Sequence, residues 1–212
     1  MFGTTLLENP IYFFLWALAI VLGMTIHEFS HALIAYWQGD RTAEDAGRLT
    51  LNPIKHIDIF GFLLLLLIGF GWAKPTPFNP YNLKFKRFGS ALVALAGPIS
   101  NLLVAIVIAI AIRLVEITLQ LPSTNLMMIF FLYLIHINIL LAVFNCIPIP
   151  PLDGSKVLYT FIFEKYPNVV LWLERYGTFV LLGLIFFGGG IIQSIVSTIY
   201  NWIFNIVFWG AL

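Results

Sequence analysis

The sequence predicts a polytopic α-helical membrane protein with about five to six hydrophobic segments. A small membrane-associated β-strand and re-entrant region is expected between the first two spans. Composition is the first observation behind this fold class. Of 212 residues, 60% are apolar and only 10% charged, with a mean hydropathy of +0.96. Soluble domains run at roughly 45–50% apolar and about 25% charged, and a chain this short has no core large enough to hide the excess. Several apolar tracts of twenty or more residues are the second observation. The third is the crowding of charge into residues 38–87, between the first two tracts. Eleven Lys and Arg against ten Asp and Glu leave no basic footprint for nucleic acid. The lone Cys146 excludes an internal disulfide and a Cys-rich metal site.

Residues 1–9 carry Glu8 and no Lys or Arg, so no cleavable leader is expected there. Asn9 and Pro10 read as an N-cap followed by proline at the first helical position. The first span then runs over 11–37, enough to cross a hydrocarbon core of about 30 Å. Residues 38–57 mix charges with Gly39, Gly47 and Pro53, and 47–51 read as a short strand with alternating side chains. Residues 60–71 are intensely apolar but too short to cross, which suggests a re-entrant segment. A second span is expected over 91–112, kinked at Gly97-Pro98, and a third over 126–147. The third must end at the prolines 148, 150 and 151. No charged residue follows Arg175, and Gly188, Gly189 and Gly190 are expected to split that tract into two segments. Gln193, Ser197, Asn201 and Asn205 recur every fourth residue as one polar stripe. Without repeat or linker, residues 1–212 read as one membrane-embedded domain.

Seven of the eleven basic residues fall within 38–87 and none within 117–125. The positive-inside tendency therefore places 38–87 in the cytoplasm and the N-terminus outside.

Within the first span stands His27-Glu28-Phe29-Ser30-His31, an HExxH pattern. Histidines at i and i+4 share one helix face and can grip one zinc ion. Glu28 lies beside that face, placed to serve as a general base toward water. Counting back from Trp37 at about 1.5 Å per residue, His27 lies about 15 Å and His31 about 9 Å below the cytoplasmic boundary. Ionisable groups at that depth are costly unless paired or bound to a cation. A zinc site needs a third protein ligand and an open position. Asp153 is the best candidate, standing where the prolines break the third span and let irregular backbone face a cavity. The plainer reading is a turn or helix cap at Asp153-Gly154.

HExxH in one membrane helix, followed by NxxPxPPLDG at 145–154, resembles the site-2 protease family of intramembrane zinc metalloproteases. The stretches GRLTLNP (47–53), HID (56–58), GWAKP (71–75) and GPISN (97–101) resemble its compact prokaryotic members without a PDZ domain. One departure is Ile59, where such members often carry proline. The resemblance covers about residues 12–165, and the hydrophobic segments at about 169–211 fall outside it. It implies a zinc endopeptidase that cleaves within or next to transmembrane segments, as in regulated intramembrane proteolysis. One zinc per chain would be held by His27, His31 and Asp153, with Glu28 activating water. The implied partners are the lipid bilayer and transmembrane substrates such as membrane-anchored regulators, with the active site opening toward the cytoplasm. A homo-oligomer is compatible with this reading.

Asn101 and Asn145 are expected near the metal, where their amides would steady a substrate carbonyl or oxyanion or bond helix to helix. His56 either approaches the site from the loop or bonds locally near Asp58. His136 and Cys146 read as interior packing. A transporter or channel using the same His, Glu and Asp cluster for a passing cation is the alternative class. It gives no reason for the HExxH order, and no repeat symmetry of the transporter kind is visible.

Overall fold

The computed structural model describes residues 9–68, 71–120, 122 and 124–207; the expectation for the first eight residues lies outside these. Asn9 caps α1 (Pro10–Trp37) as the sequence predicts, its side chain accepting the Ile11 N–H at 3.1 Å. Such a cap contributes about 1 kcal/mol, and proline is free to follow it because no N–H is needed there. A short turn of helix, α2 (Thr42–Asp45), and a ten-residue helix, α3 (Ile59–Ile68), follow. Then come α4 (Gly89–Leu119), α5 (Leu126–Asn145), α6 (Asp153–Ile162) and α7 (Pro167–Val207).

Four helices among the described residues are long and apolar enough to cross a membrane: α1, α4, α5 and α7. The expected five to six segments are corrected to these four. Gly188, Gly189 and Gly190 do not split the last tract, which is one helix of 41 residues. Each glycine costs about 1 kcal/mol of helix propensity, but opening the helix in apolar surroundings would strand backbone groups at several kcal/mol each. The strand expected at 47–51 is also absent. Gly47 turns at φ +65°, the Arg48 side chain points inward, and Asn52 with Pro53 starts a 3₁₀ turn at Pro53–Lys55. Among the described residues the sole extended pairing is an isolated antiparallel bridge, Ile57 with Ala73. Residues 60–68 of the run expected as a re-entrant segment form most of helix α3, with no strand beside them among the described residues; residues 69 and 70 lie outside the described set.

α5 is central. Its Ile135 and Ile139 pack with Ala105, Ala109 and Ile112 of α4 and with Val196 and Ile203 of α7. Ala105 and Ala109, one turn apart and fully buried, let the helices approach closely. On its other side, Tyr133, Leu134 and Ile137 meet Ala19 and Ile20 of α1. The metal cluster described below sits where α1, α4 and the start of α6 converge.

A polar layer joins the end of α1 to the loop that precedes α4. Gln38 O accepts the Lys84 N–H at 2.9 Å. Buried Asp40 accepts the Asn79 N–H at 2.6 Å, the Asn82 amide at 3.1 Å and the Thr42 hydroxyl at 2.6 Å. These bonds fix the end of the extended strap 71–79 over the Trp37 end of α1.

Candidate metal centre

The i, i+4 spacing puts His27 and His31 on one buried face of α1, their rings edge to face with centroids 4.6 Å apart. Asp153 reaches them from the first turn of α6, directly after the proline-broken loop. Its Oδ2 lies 3.1 Å from both His27 Nε2 and His31 Nε2. Gly154 allows the approach, since a side chain there would collide with the carbonyls of Cys146 and Ile147.

Tautomers follow from the partners. His31 Nδ1 lies 2.7 Å from the Val93 carbonyl, which can only accept, so Nδ1 carries the proton. Asn101 donates its amide to Gly23 O at 3.1 Å and to Asn138 Oδ1 at 2.7 Å, which turns its own oxygen to His27 Nδ1 at 2.6 Å. With Nδ1 engaged in this way, each ring turns Nε2, the nitrogen left for a metal, toward the Asp153 carboxylate oxygen. Two imidazole nitrogens and a carboxylate oxygen converging in a buried site are a donor set suited to a divalent cation. Their 3.1 Å spacing fits ligand atoms about 2.0–2.1 Å from a tetrahedral zinc. All three ligand atoms lie within 4.8 Å of one another, so the residues fit the ion.

Helix α4 crosses this face at Gly97. A Cβ there would lie 2.5 Å from His27 Cε1 and 2.6 Å from His31 Nε2, so only glycine lets α4 pass. Pro98, next in sequence, removes a donor from the same stretch of helix.

Glu28 is buried beside the cluster. Its Oε2 accepts the backbone N–H of Thr76 at 2.8 Å, and its main-chain carbonyl accepts the Thr76 hydroxyl at 3.0 Å. Lys156 Nζ stands 3.6 Å from Asp153 Oδ1. It also lines a cavity of about 400 Å³ together with Phe78, Arg87 and Tyr159.

The predicted His27, Glu28, His31 and Asp153 thus come together. Asn101 joins them through His27, and its observed bonds run to α1 and α5. Asn145 donates to Leu141 O of its own helix at 3.0 Å. His56 is buried in the loop layer, its Nε2 on Thr50 O at 2.7 Å. Sequence reasoning missed Asn138 and Thr76. Asn138 had a signal, a lone amide mid-way along an apolar span; Thr76, in a proline-rich loop, had none.

Comparison with known proteins gives relatives of one kind. The chain is 40% identical over 171 residues to "Putative zinc metalloprotease YwhC" of Bacillus subtilis, covering 79% of this chain and 78% of that protein. It is 32% identical over 146 residues to "Putative zinc metalloprotease MJ0611" of Methanocaldococcus jannaschii, covering 69% and 70%. It is 25% identical over 194 residues to "Putative zinc metalloprotease Rip2" of Mycolicibacterium smegmatis, covering 89% and 70%. No protein-family model and no solved structure matches the chain.

Proposed function

Because the chain belongs to the zinc metalloprotease family of YwhC and MJ0611, we propose that it is an intramembrane endopeptidase of the site-2 protease type. Its substrates are peptide segments within or next to transmembrane helices, and it works as a multi-pass protein of the cell membrane. The observation that carries this is the convergence of His27, His31 and Asp153, with Glu28 beside them, on helices long enough to span a bilayer. His27 Nε2, His31 Nε2 and Asp153 Oδ2 would hold the metal. Zinc, when bound, supplies Lewis-acid chemistry that polarises a carbonyl and makes water a nucleophile near neutral pH.

The chain's own groups do the rest. Thr76 occupies Glu28 Oε2 and leaves Oε1 to accept a proton from the attacking water. As the water oxygen bonds to the scissile carbonyl carbon, Glu28 holds that proton, then passes it to the amide nitrogen when the C–N bond breaks. Burial of the cluster keeps bulk water from the base. The cavity beside Lys156 and Arg87 supports entry from the basic, cytoplasmic side.

Glu28→Gln tests the reading. Purified with zinc and incubated with candidate single-span proteins in liposomes, it is expected to keep its metal and to cleave at least about a thousandfold more slowly than wild type. Full cleavage by this variant would sink the assignment.

A further inference from the structure

Arg48 is buried although it belongs to a loop. Its Nη2 donates to the carbonyls of Lys74 at 3.0 Å and Pro75 at 3.1 Å. Nη1 has no hydrogen-bond partner among the described residues. Burial pulls its pKa down, and the carboxylate of Glu28 acts on it in the opposite direction. A desolvated guanidinium of this kind is costly unless its bonds hold something in place.

What it holds is the strap. Upstream, the Lys74 N–H bonds His56 O at 2.9 Å; downstream, Asn79 N–H bonds Asp40. Between these anchors stand Pro75 and Pro77, which have fixed φ and no N–H. Each also keeps the residue before it extended. Thr76 therefore carries the one backbone donor in 75–77, and that donor meets Glu28 Oε2 at 2.8 Å.

We propose that Arg48 is a positioning residue for Glu28. By gripping two successive carbonyls it sets the strap so that the Thr76 N–H engages one carboxylate oxygen and aims the other at the reacting water. This rests on the reading of Glu28 as general base, and it adds a residue outside the HExxH and Asp153 motifs to the machinery. The flat fork of arginine suits two adjacent carbonyls, whereas lysine is a single point donor.

The experiment uses the full chain in detergent, as wild type, Arg48→Lys and Arg48→Met. Three quantities are read: zinc per chain, amide hydrogen exchange at Thr76, and kcat and KM for a cleaved single-span protein. Arg48→Met is expected to keep its zinc, speed Thr76 exchange at least about tenfold, and lower kcat about tenfold or more with KM within about twofold. Arg48→Lys should fall between the two and serves if Arg48→Met does not fold. Unchanged Thr76 exchange overturns the proposal whether or not a substrate is known. Loss of zinc, or equal damage to kcat and KM, also overturns it, because the residue would then be only structural. Failure of the general-base reading is seen separately, as cleavage by Glu28→Gln.

Discussion

Asn101 does for His27 what the Val93 carbonyl does for His31: each accepts a hydrogen bond from Nδ1–H and so leaves Nε2 for the metal. The two are not equally robust. A main-chain carbonyl cannot be mutated away, but Asn101 can, and its orientation depends in turn on Gly23 O and Asn138. Asn101→Leu is expected to weaken zinc binding about 10–100-fold, measured by competition with a chelator, while Asn138→Leu weakens it less. Equal zinc affinity in Asn101→Leu would refute the role. Asp40 gives a second residue-scale test. Its carboxyl is pushed up by burial but pulled further down by bonds from Thr42, Asn79 and Asn82, leaving its pKa below the ordinary value. A depressed carboxylate adds stability above the unfolded-state pKa of about 3.9 and loses it as pH falls through the lower folded value. Asp40→Asn should therefore cost about 1–3 kcal/mol at neutral pH, with the gap closing below about pH 4 in urea unfolding. His27, Glu28, His31 and Asp153 were legible in the sequence because spacing on one helix and a proline break report locally. Arg48 and Thr76 were not, because a loop residue's partners are set by where the chain returns.

At the level of elements, the close crossing of α1 and α4 decides whether the site exists. Gly97 sits against both imidazoles, and nothing on α4 around it can flex away without moving the whole helix. Gly97→Val is expected to expel zinc and to lower folded yield severely. Leu92→Val, on an outward-facing position of the same helix, should leave both nearly unchanged. Metal content after identical purification distinguishes them, and a zinc-replete Gly97→Val protein would contradict the crossing. Spans and caps were readable from apolar length and from Asn9-Pro10, since those signals are properties of one segment. The strand at 47–51 was misread because alternation ignores a left-handed Gly47 and an inward Arg48. The triple glycine was misread because propensities measured in water understate how strongly an apolar setting holds a helix together.

For the whole molecule, the placement of the cluster along α1 and the distribution of charge set the side of the membrane that it should face. α1 spans 28 residues, about 42 Å, so the metal-binding turn lies nearer its Trp37 end than its Pro10 end. The strap, the Arg48 clamp and the cavity lined by Lys156 all lie on that same side. Seven of the eleven basic residues are there as well. Moving such a loop across a bilayer is opposed by its positive charge, so the site should open to the cytoplasm. Cys146 is exposed and must first become serine. In that background, cysteines at Asp45 and at Lys84, both exposed, should react with an impermeant thiol reagent only after the cells are opened. Gly39 is a poor choice for this purpose, because its φ of +97° strains any other residue. A cysteine at Thr118, exposed near the far end of α4, should react in intact cells. The reverse pattern would invert the orientation and place the cavity beside Asp153 on the outer face, where the same chemistry would meet the opposite ends of its substrates.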